Sequence, residues 1–281
     1  MLNHPTLDKL KILKFHGMIQ GLQDQAQHPA IDQMSFEERL GLLVDREMTD
    51  RLDRRLKNRL LQAKLKQNAC LEDVNYQADR GLDKALLQSL QDCQWIKKHL
   101  NILITGPTGV GKSWIACALA QKACREGYTA IYQRLPRLFQ ELPLAKGDGS
   151  YSKLLNRLSK TDVLLLDDWG LAKLSAEQRR DLLEILEDRH GSRSTIVTSQ
   201  LPLDQWHSSI GDSTLADAIM DRLVHNAYKI KLEGDSLRKQ QANLTTTNKI
   251  DSISMPKGHG IALAPWKGAK LSSSPVNPST I

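Results

Sequence analysis

Long apolar runs are missing from this sequence: no stretch approaches the roughly 18 residues that a membrane-spanning helix requires. Residues 1–21 carry charges throughout, so they lack the basic tip and apolar segment of a secretory leader. These absences argue against a membrane protein or a secreted protein. We therefore expect a cytoplasmic location and no membrane partner.

Closely spaced metal-ligating residues are also missing. The four cysteines, Cys70, Cys93, Cys117 and Cys124, contain no CxxC pair, and the eight histidines form no pair with metal-ligand spacing. Cys117 and Cys124 lie on a predicted helix, where small apolar residues usually pack. We expect buried free thiols rather than disulfides or a zinc site.

Positive charge is concentrated in one segment. The chain has 281 residues and a formal net charge of +7. Residues 51–67, RLDRRLKNRLLQAKLKQ, hold seven basic residues against one acidic residue, and such a surplus favours an acidic partner such as nucleic acid. One face of a helical wheel carries Leu52, Leu56, Leu60 and Ala63, and another carries Arg51, Arg54, Arg55, Arg59 and Lys66.

This amphipathic segment predicts a helix that packs on its leucine face and contacts DNA phosphates on its basic face. The alternative is a solvated basic face, or one that pairs with acids of a neighbouring subunit. A rival DNA site is the predicted loop AKGDGSYSK, 145–153, because its glycines allow close backbone approach and it carries Lys146 and Lys153.

Two kinds of periodicity divide the chain. Residues 1–67 are predicted to form a small helical N-terminal domain for DNA or partner binding, with Ser35 and Glu38 spaced as a capping box. Residues 68–100 connect it to residues 101–244, where short apolar runs alternate with helical segments. That alternation predicts the α/β class, with a parallel sheet sandwiched by helices.

Individual elements of the α/β core follow from local patterns. Strands are predicted at 101–105, 128–133, 162–167, 195–199 and 228–232, and helices at 112–125 and from 175 to about 190. Residues 245–281 are rich in Ser, Thr, Pro, Gly and Lys without periodicity, which predicts a disordered tail.

A glycine-rich turn follows the first predicted strand. ILITGPTGVGKS, residues 102–113, matches GxxxxGK[ST] between a strand and a helix, the context that this motif requires. The turn consists of Gly106, Pro107, Thr108, Gly109, Val110, Gly111, Lys112 and Ser113. Its backbone N–H groups are expected to face phosphate oxygens, Lys112 to reach the terminal phosphates, and Ser113 to meet Mg²⁺.

Acidic residues end the third predicted strand. DVLLLDD, residues 162–168, is typical of a buried central strand whose carboxylates emerge beside the phosphate turn. We assign Asp167 to Mg²⁺ and Asp168 to polarising the water that attacks the γ-phosphate. A nucleotide kinase, a GTPase or an ABC-type ATPase would share these two motifs.

Three further residues narrow the choice. STIVTSQ, residues 194–200, is a strand whose polar end, including Gln200, would reach the γ-phosphate or the attacking water. Arg222 ends a predicted helix, and Arg238 begins another. Either arginine taken singly is equally well explained as a solvated surface residue.

The motifs GPTGVGKS, LLLDDWG, TSQLP, DRLVHNAYKIKLEG and DSLRK, in this order and near these spacings, resemble the AAA+ ATPases of the DnaC and DnaA clade. The sequence is most similar to the IstB-like helper ATPases of insertion-sequence transposition, over roughly residues 5–243. This resemblance implies a helical N-terminal region, an AAA+ core, ATP as the nucleotide, ATP-dependent homo-oligomers on double-stranded DNA, and a cognate transposase as partner.

The resemblance also implies residue roles. Arg222 would be the finger that reaches a neighbouring subunit's ATP, Arg238 a sensor of nucleotide within its own subunit, and Gln200 the first sensor, where many relatives have Asn. Gln has one methylene more than Asn, and the acid pair is Asp167–Asp168 instead of the Asp–Glu pair common in AAA+ proteins. Because of both differences, we expect slow hydrolysis. The remaining alternatives are a DnaC-like replicative helicase loader, a small-molecule P-loop kinase, and a non-hydrolysing scaffold gated by nucleotide.

Overall fold

A computed structural model describes residues 5–28, 31, 33–76 and 80–237 of the chain. The helices in these residues are α1 (Pro5–Ile12), α2 (His16–Gln25), α3 (Phe36–Ala63), α4 (Lys84–Ser89), α5 (Gln94–Lys97), α6 (Lys112–Arg125), α7 (Leu135–Gly147), α8 (Tyr151–Lys160), α9 (Ala176–Glu187), α10 (Trp206–Ile210) and α11 (Ser213–Val224). The strands are β1 (Asn101–Thr105), β2 (Ala130–Arg134), β3 (Val163–Trp169), β4 (Ser194–Ser199) and β5 (Ala227–Lys231). Arg238 and the predicted disordered tail at 245–281 lie outside the described residues.

The five strands form one parallel sheet in the order β2-β3-β4-β1-β5. All five predicted strands are present, with ends that differ by no more than two residues. Strands β1, β3 and β4 form its centre, and nearly all their residues are buried, as expected for a sheet covered on both faces. The α/β prediction is therefore confirmed.

Alternate residues of the strands face two separate hydrophobic layers. Ile102 and Ile104 point to the layer formed by α6, α4, α5 and the end of α3, whereas Leu103 points to the layer formed by α7 to α11. This alternation follows from the two-residue period of a strand. Because helices cover both faces, functional side chains must emerge at the ends of the strands.

The N-terminal part is helical, as predicted, and α3 is its main element. Ser35 caps α3 in the predicted capping box, since its Oγ accepts from the Glu38 N–H at 3.2 Å and its own N–H donates to Glu38 Oε2 at 2.8 Å. Helix α2 packs closely on α3: a Cβ on Gly17 would lie 2.6 Å from Glu47 Cα. Every helix that the structure describes is too short or too polar to span a lipid bilayer.

Two predictions need correction: the packing of Leu52 and the loop at 145–153. Leu52 is 52% exposed instead of packed, because α3 meets the core only near its C-terminal end, where Ala63 is buried. The predicted loop at 145–153 is mostly helical: α7 continues to Gly147 and α8 begins at Tyr151. Ala145 is buried and Tyr151 packs against the hydrophobic layer beside the sheet, so both ends of the segment belong to packed helices.

Candidate functional site

The glycine-rich turn has a backbone that side chains would disrupt. Gly106 and Gly109 have φ of +148° and +88°, in a region that L-residues rarely adopt. A Cβ on Gly106 would lie 2.2 Å from the Leu232 carbonyl oxygen, and one on Gly109 would lie 2.1 Å from Ser236 Oγ. The turn is therefore packed beneath the segment that follows β5, and only glycine permits this approach.

Helix α6 begins directly after the turn, at Lys112, and its first N–H groups have no partner within the helix. Lys112 is buried, and its Nζ donates to the Pro107 carbonyl oxygen at 2.7 Å. The ammonium group therefore lies inside the curve of the turn. A helix N-terminus with a cation at this position is suited to phosphate oxygens.

A buried arginine, Arg80, donates a hydrogen bond to the backbone of the turn. Arg80 Nη1 donates to the Val110 carbonyl oxygen at 3.3 Å, and its Nη2 donates to the Asn75 carbonyl oxygen at 2.6 Å. Burial lowers the pKa of Arg80 from its ordinary value. Sequence reasoning missed this residue, because it lies in the predicted connecting segment and belongs to no recognisable motif.

Asp167, which is fully buried, is the centre of the polar cluster. Its Oδ1 accepts hydrogen bonds from Ser113 Oγ at 2.6 Å and from Thr198 Oγ1, and its Oδ2 accepts from Tyr132 OH at 2.6 Å. Lys66 Nζ lies 3.5 Å from the same Oδ2. The structure thus brings together the two predicted metal ligands, Ser113 and Asp167.

The charge of Asp167 is maintained by these neighbours. Burial alone would raise the pKa of this carboxyl group, but the hydrogen bonds from Ser113, Thr198 and Tyr132 and the charge of Lys66 lower it below the ordinary aspartate value. Burial and the Asp167 charge both raise the pKa of Tyr132, so its hydroxyl remains a proton donor. An ionised carboxylate beside a serine hydroxyl is a hard oxygen pair that suits Mg²⁺.

Asp168 has a left-handed backbone, with φ of +67°. The pairing of β3 with β4 shifts register between Leu166 and Trp169, so the chain bulges at the acid pair. Asp168 Oδ2 accepts from Arg134 Nε at 2.7 Å. Arg134 ends the neighbouring strand β2, and the sequence contained no motif that singled it out.

Gln200 follows β4 and contacts the glycine-rich turn. Its Oε1 accepts a hydrogen bond from Thr108 Oγ1 at 2.8 Å. Both side chains are exposed, so a ligand at the turn would reach them. The polar end of the fourth strand therefore lies beside the turn.

Arg222 lies at the opposite end of the sheet. Its carbonyl oxygen accepts from Asn101 Nδ2 at 2.9 Å, and Asn101 begins β1, whereas the glycine-rich turn starts at Gly106, after β1 ends. A five-residue strand spans about 16 Å. The Arg222 guanidinium pairs with Glu187 at 2.6 Å and with Asp221 at 3.3 Å. The structure therefore does not bring Arg222 to the turn of its own chain.

The residues predicted to contact DNA are largely engaged within the chain. Arg51 pairs with Glu47 at 2.6 Å, Arg54 pairs with Asp50 at 2.8 Å, and Arg59 Nε donates to the Cys124 carbonyl oxygen at 2.9 Å. Lys146 pairs with Glu177 at 2.8 Å and with Asp181 at 2.7 Å. Arg55 is exposed.

A second basic surface lies along the outer edge of β2. This groove of about 810 Å³ is bounded by β2, α7, α8 and the end of α3. Its lining includes Lys64, Arg134, Arg137, Lys153, Arg157 and Lys160, with Glu141 as the acidic residue. Sequence reasoning did not group these cations, because they come from four separate elements.

Three of the four cysteines are buried, as the sequence predicted. Cys93, Cys117 and Cys124 are buried, Cys70 is partly buried, and all four are free thiols. Burial raises the pKa of Cys124 to about 11, so it stays protonated near neutral pH. Within the described ranges, no group of three His, Cys, Asp or Glu side chains has the geometry of a metal site.

Comparison with known proteins agrees with this arrangement. The family described as IstB-like ATP binding protein matches residues 8–245. An insertion sequence ATP-binding protein of Sinorhizobium fredii is 54% identical over 86% of this chain and 98% of its own length. The ATP-binding protein of insertion sequence IS1162 in Pseudomonas fluorescens is 53% identical over 72% of this chain and 88% of its own.

A solved structure is also similar. The crystal structure of DnaI is 25% identical and superposes with a TM-score of 0.52, covering 59% of this chain and 91% of DnaI. The DnaC helicase loader, at 22% identity and a TM-score of 0.50, shares the fold. The parallel sheet, the glycine-rich turn and these relatives lead to one conclusion: the chain belongs to the IstB-like ATP binding protein family, with an AAA+ core that shares the fold of DnaI and DnaC.

Proposed function

We propose that this protein binds ATP with Mg²⁺ at the glycine-rich turn and hydrolyses it. One observation supports this proposal most strongly. Ser113 Oγ, at the start of α6, donates a hydrogen bond at 2.6 Å to the buried, ionised Asp167 on β3. These two residues would hold Mg²⁺, which when bound supplies charge neutralisation for the phosphates. The positive φ values of Gly106, Gly109 and Gly111 curl the turn ahead of α6, a backbone shape that lets successive N–H groups face phosphate oxygens.

The other predicted residues take roles around the same turn. Lys112 would exchange the Pro107 carbonyl oxygen for phosphate oxygens, a substitution that its position inside the turn favours. Asp168 would polarise the attacking water once its pairing with Arg134 loosens. Gln200 would orient the water or the γ-phosphate from beside Thr108, and Arg238 would sense nucleotide in its own subunit.

We further propose that the protein forms ATP-dependent homo-oligomers. Arg222 lies at the opposite end of the sheet from its own turn, so a role in hydrolysis requires the turn of an adjacent copy. A guanidinium supplied across a subunit contact stabilises charge in the phosphoryl transition state. ATP bound between copies would therefore favour assembly, and hydrolysis would favour release.

We propose that the protein binds double-stranded DNA. The predicted contacts Arg51, Arg54, Arg55 and Arg59 on α3, together with Lys146, remain part of this proposal, and the basic groove along β2 adds a second surface. Binding to DNA phosphates depends on cations that can leave their intramolecular partners. Such contacts give little preference for a particular DNA sequence. The exposed Arg55 and the groove are accordingly expected to contribute most.

We propose a cognate transposase as the client, with the protein assisting target selection during insertion-sequence transposition in the cytoplasm. The names of the relatives, which place them in insertion sequences, support this client. The alternative is a replicative helicase loader that binds a helicase and single-stranded DNA, and the fold shared with the DnaC helicase loader keeps it in view. Capture of purified transposase versus purified helicase by the ATP-bound protein distinguishes the two.

The central test is ATP hydrolysis with and without duplex DNA. Lys112→Ala should abolish ATP binding, whereas Lys122→Ala on the same helix should retain it, because Lys122 pairs with Glu126 on the surface. Binding without hydrolysis under all conditions would favour a nucleotide-gated scaffold. Phosphate transfer to a small acceptor by a monomer would favour a small-molecule kinase.

A further inference from the structure

The turn that follows α3 is fixed to the helix of the nucleotide site. Helix α3 ends at Ala63, which is buried, and Lys64 then adopts a left-handed backbone with φ of +49°. Leu65 then packs against the hydrophobic layer that contains Cys117 of α6. The segment 64–67 therefore lies beside the helix that begins at the phosphate turn.

A second contact fixes the same two helices one turn earlier. Arg59 Nε, on α3, donates to the Cys124 carbonyl oxygen near the end of α6 at 2.9 Å. Two attachments, one on each side of the α3 C-terminus, hold the segment 64–67 in a defined place. The Lys66 side chain consequently starts from a fixed backbone position.

From this position, Lys66 reaches the predicted metal ligand. Its Nζ lies 3.5 Å from Asp167 Oδ2, while its side chain remains 39% exposed. Asp167 is fully buried, and Ser113 occupies its other carboxylate oxygen. A solvent-accessible cation thus contacts a buried anion at the place where Mg²⁺ is expected.

We propose that Lys66 is a positioning residue that competes with Mg²⁺ for Asp167, and so links the N-terminal helices to the nucleotide site. This inference rests on the proposed ATP and Mg²⁺ binding. Two cations close to one carboxylate oxygen repel each other, so Mg²⁺ binding weakens the Lys66 contact. A lysine on a flexible, partly exposed stem can move into solvent when this happens.

The competition works in both directions. If Mg²⁺ and nucleotide displace Lys66, a ligand that draws Lys66 away must strengthen Mg²⁺ binding by the same factor, because coupling between sites is reciprocal. The basic groove begins beside this segment, at Lys64. DNA bound there would attract nearby lysines and thereby favour the Mg²⁺-bound site.

The test is a Mg²⁺ titration of non-hydrolysable ATP analogue binding, measured by fluorescence without DNA. Lys66→Met should lower the half-saturating Mg²⁺ concentration by about fivefold, the effect expected from a partly exposed ion pair. Lys66→Gln provides a second neutral variant. Lys66→Arg should behave like the wild type, and so should Lys122→Met, which removes the same charge from a surface ion pair near the end of α6.

An unchanged or increased Mg²⁺ requirement in both neutral variants would overturn the proposal while leaving ATP binding intact. A wild type that binds no nucleotide at any Mg²⁺ concentration would instead overturn the proposed function, and this inference with it. With saturating duplex DNA, the wild-type requirement should fall and that of Lys66→Met should stay the same. No DNA effect on the wild type, or an equal effect on both, would overturn the coupling.

Discussion

Arg134 Nε lies 2.7 Å from Asp168 Oδ2, so the acid proposed to polarise water is paired with the neighbouring strand. Arg134 ends β2, and Asp168 follows the fully buried Asp167 on β3. The guanidinium occupies an oxygen of the carboxylate that would otherwise accept a hydrogen bond from water. We infer that the pair restrains Asp168 in the isolated chain.

Removing this restraint should raise basal hydrolysis. Arg134→Gln is expected to increase the ATPase rate without DNA by about three- to tenfold, because the Asp168 carboxylate becomes free to turn toward the attacking water. Steady-state phosphate release measures this. Arg137→Gln is the matched control, since Arg137 lies one turn further on and pairs with Glu141 at 3.1 Å. A decrease in the Arg134→Gln rate would show that the pair orients Asp168 for catalysis instead.

Arg222 should act on the neighbouring copy. Arg222→Ala is expected to retain ATP binding but to lose about 10³- to 10⁵-fold in hydrolysis, the usual contribution of an arginine finger. Mixing Arg222→Ala with Lys112→Ala should restore part of the activity, because each protein supplies what the other lacks. Lack of recovery in mixtures at any ratio would argue against a shared site.

The two basic surfaces should differ in their salt dependence. Substituting Lys153, Arg157 and Lys160 by Ala should reduce the slope of log affinity against log salt by about three, because each of these cations would neutralise one DNA phosphate. The same change at Arg51, Arg54 and Arg55 should reduce it by about one, because Arg51 and Arg54 are paired with acids. Fluorescence anisotropy with duplex DNA measures both slopes. Equal slopes for the two triple variants would contradict this division.

Glu47 should stabilise the packing of α2 on α3 at neutral pH. Its buried carboxylate accepts from the Gly17 N–H at 2.7 Å and pairs with Arg51. Burial opposes its charge, but these partners lower the pKa of Glu47 below its ordinary value. Glu47→Gln should therefore reduce the free energy of unfolding by about 1–3 kcal/mol at pH 7.

The sign of this effect follows from the direction of the pKa shift. The stabilisation by Glu47 is present above the ordinary carboxyl pKa and is lost as pH falls through the lower pKa of the folded state. Denaturant unfolding of Glu47→Gln and wild type should therefore converge at acidic pH. Asp45→Asn, at an exposed position of the same helix, should have the same stability as the wild type across this pH range. A Glu47→Gln effect that does not change with pH would contradict the argument.

The polar cluster shows which residues were predictable. Ser113 and Asp167 belong to local motifs, so their spacing and flanking periodicity were enough to predict that they meet. Lys66 and Tyr132 belong to no motif, and they contact Asp167 only because α3 packs on α6 and β2 pairs with β3. Leu52 was predicted to pack and is exposed, because the apolar face of α3 extends beyond the part of the helix that reaches the core.

Local rules of strand period, glycine conformation and helix capping act over a few residues, so they are enough to predict the parallel sheet, the phosphate turn and the acid pair. Only the folded chain shows which cations pair with those acids and which remain open to a partner. Charges interact over a few ångströms through space, and folding brings residues 66 and 167, or 134 and 168, within that distance despite their separation along the chain.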